Sequence, residues 1–274
     1  MQKNILNFLY GTAWKEERTA ELVELALSLG FKGIDTANQR KHYFEEAVGI
    51  GLNNCYKKLS ISRDDIFLQT KYTYAAGQDH RMPYDSEASF SNQVLQSFES
   101  SLIHLDTDYI DSYVLHGPYY QDVFSDIDIE VWQAMEQLVV EGRVINLGIS
   151  NISYDQLLSL YSTAKTKPKF VQNRCFAQMG WDKKIRDFCS DKKIVYQGFS
   201  LLTANQLQIN HPSIKEICIT HGKTKEQVIL RFSQQMGMLP LTGTTSKHHM
   251  IDDLSITDFN LLPEEIKIIE NINK

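Results

Sequence analysis

Eight short apolar runs alternate with longer amphipathic segments along the chain, and this alternation constrains the fold more than any other feature. Each run has the length and residue types of a β-strand, and the segments between the runs are long enough for helices. A strand followed by a helix, repeated many times, is typical of a parallel sheet covered by helices. The predicted strands span residues 5–10, 32–35, 66–71, 109–116, 144–150, 170–173, 194–200 and 238–243.

Repeated strand–helix units predict an α/β fold of the (β/α)8 TIM-barrel class. The 274 residues suit a single barrel domain spanning 1–274, because barrels of about 250 residues are common. An open doubly wound sheet has a similar pattern, but no G-x-G-x-x-G motif follows the first strand. Helices are predicted over residues 19–27 from apolar spacing, after Ser153, and after Thr224, where Gln227 completes a capping box.

Composition and charge narrow the classes of partner. The formal net charge of -6 and the absence of a lysine or arginine cluster argue against nucleic-acid binding. No apolar window has the length of a membrane helix and the first residues do not resemble a secretory leader, so we predict a cytoplasmic protein that acts on small molecules. The cysteines lack zinc or disulfide spacing, so no metal is predicted. The oligomeric state is not predicted.

Ionisable residues close three consecutive predicted strands. Asp35 ends the second strand, Lys71 the third and His116 the fourth. Alone, each has an ordinary explanation: a turn cap, a solvated lysine or a turn histidine. Together they lie at the carboxyl ends of strands, where barrel enzymes carry their chemistry. The turn-rich segment 74–89 follows the third strand on this same face, and a loop of that length is usually functional or disordered.

Five segments together resemble signature segments of the aldo-keto reductase family, in the order in which that family has them. The resemblance covers nearly the whole chain and implies a (β/α)8 barrel that reduces carbonyl groups with NADPH, through a tetrad of aspartate, tyrosine, lysine and histidine. The segments are IDTANQRKHYFEEAVG (34–49), FLQTK (67–71), DSYVLHGP (111–118), LGISN (147–151) and LTGTT (241–245).

Three members of the implied tetrad match their motifs directly, namely Asp35, Lys71 and His116. The tyrosine usually lies five residues after the aspartate, but Arg40 occupies that position. Tyr43 keeps nearly the family's spacing to the downstream glycine, so we assign it as the proton donor and infer a short insertion before it. Tyr74 is the alternative donor, and His42 is a neighbour that could also take part.

The implied mechanism divides the chemistry among these four residues. Tyr43 would protonate the carbonyl oxygen, and the Lys71 cation would favour ionisation of the phenol. Asp35 would fix Lys71, and His116 would orient and polarise the carbonyl.

The resemblance also implies how a dinucleotide is held. A serine, an asparagine and a glutamine hold the nicotinamide carboxamide, an aromatic ring stacks on the nicotinamide, and two loops enclose the phosphates and the adenosine. Without the resemblance, the same residues would be interpreted as helix caps, a buried hydrogen-bonding amide and core residues. They are Ser150, Asn151, Gln172, Phe199, Ser200, Leu202, Gly243, Thr244, Thr245, Lys247, His249 and Asp253.

The adenosine end departs from the family pattern. His249 replaces the arginine that usually pairs with the 2′-phosphate, and Asp253 replaces an asparagine. Arginine is a permanent bidentate cation, whereas histidine is only partly charged near neutral pH. With Lys247 and His248 as compensating cations, NADP(H) is the expected cofactor, and NAD(H) is the alternative.

Two other functions use the same barrel. Some relatives are nicotinamide-sensing regulatory subunits without turnover, and a barrel lyase or isomerase would use Lys71 as a Schiff base. The substrate is expected to be a small-molecule carbonyl. Four aromatic residues could wall its pocket or be structural: Trp14, Tyr72, Tyr119 and Trp181.

Overall fold

The computed structural model describes residues 6–273, and eight parallel strands within that range form a closed barrel in chain order. The last strand pairs with the first, so that no edge strand remains open. The TIM-barrel fold class predicted from the sequence is confirmed. The strands are β1 Leu9–Gly11, β2 Gly33–Asp35, β3 Phe67–Tyr72, β4 Ile110–Leu115, β5 Val144–Ser150, β6 Phe170–Arg174, β7 Val195–Phe199 and β8 Leu239–Thr242.

Each strand overlaps an apolar run predicted from the sequence. The largest difference is in β1, where the predicted run 5–10 begins outside the described residues and the strand forms only over Leu9–Gly11. The other strands agree within a residue or two at either end. Ladder hydrogen bonds decide where a strand ends, and apolar patterning reports them only indirectly.

Helices cover the outside of the barrel. The Thr224 side chain accepts a hydrogen bond from the backbone N–H of Gln227, and the Ser153 side chain accepts one from the backbone N–H of Gln156. These bonds confirm both predicted caps. The helix predicted over 19–27 extends to Leu29. The helices are α1 Thr19–Leu29, α2 Glu45–Lys58, α3 Phe90–Leu105, α4 Asp126–Val140, α5 Tyr154–Thr163, α6 Lys183–Lys192, α7 Gln206–Ile209, α8 Pro212–His221, α9 Lys225–Gln235, α10 Lys247–Leu254 and α11 Pro263–Glu270.

One end of the barrel is sealed by apolar side chains. Leu9, Phe67, Phe170 and Leu239 form a buried cluster at or near the amino ends of their strands, and Phe67 packs edge to face on Phe170 at 5.4 Å between ring centroids. Burying each such side chain contributes roughly 1.5–3 kcal/mol. Because this end is filled, the open end lies at the carboxyl termini of the strands, where Asp35, Lys71 and His116 were predicted to converge.

The close approach of α2 and α3 depends on Gly49. A Cβ atom there would collide with the His104 carbonyl oxygen, so a side chain would push the two helices apart. No helix within residues 6–273 is long and apolar enough to cross a membrane.

Candidate active site

Asp35 and Lys71 form a buried ion pair at the carboxyl end of the barrel. Lys71 Nζ lies 2.6 Å from Asp35 Oδ1, and the side chains are 0% and 3% exposed. The ammonium also donates to the Thr36 carbonyl oxygen at 2.8 Å. Burial lowers the pKa of Lys71, and the Asp35 carboxylate acts in the opposite direction. A buried pair persists only when hydrogen bonds satisfy both ions, and these contacts provide them.

Three buried glutamines hold Asp35 from inside the barrel. Gln69 and Gln172 each donate through Nε2 to Asp35 Oδ1, at 2.7 and 3.0 Å. Both amides also donate to Gln197 Oε1, at 2.8 and 2.9 Å, and Gln197 Nε2 donates to Gln69 Oε1 at 3.0 Å. Gln69 and Gln197 were not predicted as site residues from the sequence. Their signal was an amide in the middle of an apolar run, at a position whose side chain faces the barrel interior.

Tyr43 and His116 lie next to the ion pair. Lys71 Nζ is 5.2 Å from the centroid of the Tyr43 ring, and the Tyr43 and His116 rings meet edge to face at 5.9 Å. Burial and the Asp35 carboxylate raise the pKa of Tyr43, so its hydroxyl stays protonated at neutral pH. The structure therefore brings together the four residues that the resemblance implied.

Burial lowers the pKa of His116 to about 3, and the Lys71 charge acts in the same direction. The imidazole is therefore neutral at physiological pH. Its Nδ1 lies 2.7 Å from Thr73 Oγ1, which fixes the ring orientation.

Tyr74 and His42, the other residues considered at this site, also line the cleft. Arg40 pairs with Glu16 at 3.2 Å and lies over the Phe44 ring, away from the cleft. Tyr74 donates its hydroxyl to Asp128 Oδ1 at 2.9 Å. Of the two candidate tyrosines, only Tyr43 has its ring against Lys71.

The loop that carries Tyr43 is tied to the turn-rich segment after β3. Gln39 donates through Nε2 to the Gly77 carbonyl oxygen at 2.6 Å, and its Oε1 lies 3.0 Å from His42 Nδ1. The backbone carbonyl of Gln39 accepts the Tyr43 amide at 3.0 Å. The ordered segment 74–89 thus braces the insertion on which Tyr43 depends.

A cleft of about 1180 Å³ opens over these residues. It exceeds the roughly 300–1,000 Å³ typical of small-ligand pockets. Lys71, Thr245 and Lys247 do not line it, since Lys71 is buried beneath its floor and Thr245 and Lys247 point to solvent. The predicted residues that do line it are Asp35, Tyr43, His116, Ser150, Asn151, Gln172, Phe199, Ser200, Leu202, Gly243, Thr244, His249 and Asp253.

The groups predicted to hold a carboxamide form one hydrogen-bonded set. Ser150 Oγ donates to the Gln172 backbone carbonyl at 2.7 Å, so its hydrogen is already used. Asn151 Nδ2 donates to the His116 carbonyl oxygen at 2.8 Å and to Ser150 Oγ at 3.1 Å. Both Asn151 and Gln172 line the cleft, and their side-chain carbonyl oxygens accept no hydrogen bond from a residue within 6–273. Two acceptors beside His116 suit the amide hydrogens of a nicotinamide.

Phe199, predicted to stack on the nicotinamide, is half-buried on the cleft wall. The Arg174 guanidinium carbon lies 5.5 Å from the centroid of that ring. Arg174 was not predicted, because the predicted strand stops at Asn173, whereas β6 continues to Arg174. Ser200 follows at φ 55°, so the chain turns sharply at the cleft rim.

The far end of the cleft carries more carboxylate side chains than were predicted from the sequence. Asp253 is buried, and Thr242 donates its hydroxyl to Asp253 Oδ2 at 2.7 Å. Burial raises the pKa of Asp253 to about 6. Two further carboxylates missed from sequence, Glu226 and Asp252, line the same end with His249.

Two of the four predicted wall aromatics are core residues. Trp181 is 0% exposed and donates its indole N–H to the Ile269 carbonyl oxygen. Tyr72 is equally buried, and its hydroxyl donates to Gln93. The wall role is therefore wrong for both. Trp14 and Tyr119 do line the cleft; Trp14 stacks on His42 at 4.1 Å between ring centroids.

No group of three or more histidine, cysteine, aspartate or glutamate side chains in the described part of the chain could hold a metal ion. The cleft instead combines acceptors for an amide, an aromatic face and a long extension toward α10. This donor set and the cleft volume fit a dinucleotide.

Comparison with known proteins gives the same picture. The model of the aldo/keto reductase family matches residues 7–274. The chain is 30% identical over 254 residues to glyoxal reductase of Bacillus subtilis (strain 168), covering 93% of this chain and 83% of that protein. It is 25% identical to prostaglandin F synthase 1 of Bos taurus, covering 97% of this chain and 87% of that protein.

A solved structure is also similar. The crystal structure of an aldo/keto reductase from Brucella melitensis superposes with a TM-score of 0.81 at 28% identity, covering 97% of this chain and 94% of that chain. The family match extends across the barrel, the paired aspartate and lysine, and the cleft above them. The chain therefore belongs to the aldo/keto reductase family.

Proposed function

We propose that this protein reduces aldehydes or ketones to alcohols with a reduced nicotinamide dinucleotide. The observation that carries the proposal is the buried Asp35–Lys71 pair packed against the Tyr43 ring, with His116 beside it at the floor of a long cleft. The printed name of the Bacillus subtilis relative, glyoxal reductase, supports a small carbonyl compound as the substrate.

When bound, the dinucleotide would supply a hydride to the carbonyl carbon. Negative charge then develops on the carbonyl oxygen, and the Tyr43 hydroxyl, kept protonated by its raised pKa, donates the proton that this oxygen needs. The Lys71 ammonium lies near the Tyr43 ring and stabilises the phenolate that results. Preorganised charge of this kind lowers the barrier because nothing reorients during the reaction.

His116 orients the carbonyl in this proposal. A neutral imidazole that accepts the Thr73 hydroxyl at Nδ1 carries its own hydrogen on Nε2. That N–H donates to the carbonyl oxygen and polarises it. Asp35 and the glutamines behind it keep Lys71 in place, so they are positioning residues.

The burial of Lys71 argues against the Schiff-base lyase or isomerase. A lysine nucleophile must reach the substrate, but Lys71 is 0% exposed and does not line the cleft. Its ammonium also donates two of its three hydrogens, to Asp35 and to the Thr36 carbonyl oxygen. A regulatory barrel without turnover would not require this complete set of groups.

NADP(H) is the dinucleotide that the family resemblance implies, with NAD(H) as the alternative, and the charges that bear on the choice are considered in the next subsection. We further propose one domain over residues 1–274 and a cytoplasmic location. The net charge of -6 supports a small-molecule partner rather than a nucleic acid.

Tyr43→Phe tests the proposal. The wild type should oxidise NADPH or NADH in the presence of a panel of aldehydes and ketones that includes glyoxal. Tyr43→Phe should lower kcat by about 10²–10⁴-fold, because the proton donor is lost, while the Kd for the dinucleotide stays unchanged. Tyr120→Phe, at an exposed tyrosine outside the cleft, is the matched control and should behave as wild type.

Two outcomes would contradict the proposed function. Near wild-type turnover by Tyr43→Phe would remove Tyr43 from the donor role. No cofactor oxidation with any carbonyl, combined with borohydride trapping of substrate on Lys71, would replace the reductase by the lyase or isomerase.

A further inference from the structure

The end of the cleft between α9 and α10 carries three carboxylates, and this charge bears on which dinucleotide the proposed reductase takes. Glu226 lies in α9, and Asp252 and Asp253 lie in α10. All three line the cleft. The only difference between NADPH and NADH is a phosphate on the 2′-hydroxyl of the adenosine ribose, so the charge at this end decides between them.

Asp253 presents an unused acceptor to the cleft. The residue is 4% exposed, and its Oδ2 accepts the Thr242 hydroxyl. Its Oδ1 accepts no hydrogen bond from any described residue, although it belongs to a side chain on the cleft wall. A free carboxylate oxygen on the cleft wall can accept a hydrogen bond from a donor on a bound ligand. A ribose hydroxyl supplies one, and a phosphate ester carries none when ionised.

The cations at this end do not balance the carboxylates. His248 Nε2 lies 3.3 Å from Asp252 Oδ2, so its contact is made within α10. His249 lines the cleft beside His248, and both side chains are exposed imidazoles rather than the permanent cation that an arginine would provide. The Lys15 ammonium donates to the Gly243 carbonyl oxygen, and burial lowers the pKa of Lys15. Lys247 does not line the cleft.

From this arrangement we propose that Glu226, Asp252 and Asp253 select NAD(H) over NADP(H). The carboxylates accept hydrogen bonds from the ribose hydroxyls of NAD(H) and repel the 2′-phosphate of NADP(H). This inference rests on the proposed function, because it assumes that the cleft holds a nicotinamide dinucleotide. It reverses the preference expected from sequence, where the replacements at His249 and Asp253 were weighed but Glu226 and Asp252 were not identified.

Dissociation constants test the proposal without turnover. Quenching of tryptophan fluorescence at pH 8 should give a Kd at least 10-fold lower for NADH than for NADPH. A fragment pair, 5′-AMP and 2′,5′-ADP, should show the same order, because the two compounds differ only in the 2′-phosphate.

Charge-neutralising variants identify the residues responsible. Asp253→Asn keeps an oxygen for the Thr242 hydroxyl, and Glu226→Gln keeps the side-chain shape. Each should tighten NADPH binding by about 5-fold or more and weaken NADH binding. Glu216→Gln, which removes an equal charge from an exposed position on α8 away from the cleft, should change neither Kd. Circular dichroism establishes whether each variant is folded. If Asp253→Asn does not fold, the binding constants of Glu226→Gln still test the proposal.

The results separate this inference from the proposed function. Wild-type NADPH binding as tight as NADH binding, or variants that change both constants by the same factor, would overturn the inference while carbonyl reduction still stands. NADH-selective binding without turnover of any carbonyl would instead support the inference and refute the reductase.

Discussion

Replacing Asp35 by asparagine removes one charge from a buried pair and keeps its shape. At 2.6 Å between Lys71 Nζ and Asp35 Oδ1 and an effective dielectric constant of about 20, Coulomb's law gives an attraction of roughly 6 kcal/mol. The asparagine oxygen can still accept from Lys71, Gln69 and Gln172, but it no longer neutralises the ammonium. Because burial already lowers the pKa of Lys71, losing the carboxylate lowers that pKa further.

Lys71 then has two unfavourable states. If it stays charged, the folded protein loses about 3–5 kcal/mol of stability, as expected for a buried charge without its partner. If it releases its proton, the cation beside Tyr43 disappears and kcat/KM falls by about 10²–10⁴-fold. Because the protonated form is the active one, activity is lost as the pH rises through the lowered Lys71 pKa. The basic limb of the pH profile therefore moves to lower pH.

The assay is the pH dependence of kcat/KM for carbonyl reduction, with thermal unfolding measured in parallel. Asp111→Asn is the matched control, because Asp111 is a buried carboxylate that pairs with the partly exposed Arg63 at 2.8 Å, outside the cleft. It should lower the Tm and leave the pH profile in place. An Asp35→Asn enzyme whose basic limb coincides with that of wild type would refute the role assigned to the pair.

Three further predictions concern stability. Gln197→Leu should cost about 1–3 kcal/mol in urea unfolding, because both amide donors that share Gln197 Oε1 lose an acceptor; an unchanged midpoint would show that the glutamine network is dispensable. Trp181→Ala should cost about 3–5 kcal/mol of folding stability without changing substrate KM. Trp14→Ala, at a position that is 68% exposed, should change KM with little effect on Tm. The reverse pattern would show that Trp181, and not Trp14, contacts the substrate. Burial lowers the pKa of His104, but its contacts with Glu45 and Glu46 outweigh burial and raise the pKa overall. The folded value thus exceeds the unfolded one, so His104→Gln should lose stability relative to wild type below about pH 6.5 and match it above the folded pKa; a pH-independent difference would contradict this.

The fold could be predicted from the sequence because the same pattern of strand and helix is repeated along the chain. Eight apolar runs separated by amphipathic segments fit few architectures, and an error at one boundary, such as the start of β1, leaves the others intact. Asp35, Lys71 and His116 were readable for a related reason. In parallel strands, the residue that ends each strand lies at the same end of the barrel, so position along the chain determines position in space.

Side-chain direction and long-range pairing were decided only by the tertiary structure. Trp181 and Trp14 both follow strand ends, yet one is buried in the core and the other lines the cleft. Gln69 and Gln197 lie 128 positions apart and meet only when the barrel closes.

The charge at the adenosine end was also predicted only in part from the sequence. The sequence identified His249 as a weak substitute for arginine, but Glu226 belongs to a different helix and carries no local mark of a binding residue. Hydrophobic periodicity is a local property of the chain and therefore survives in the sequence. The electrostatic potential at a point sums charges from every segment that folding brings near it, so it exists only in the assembled barrel.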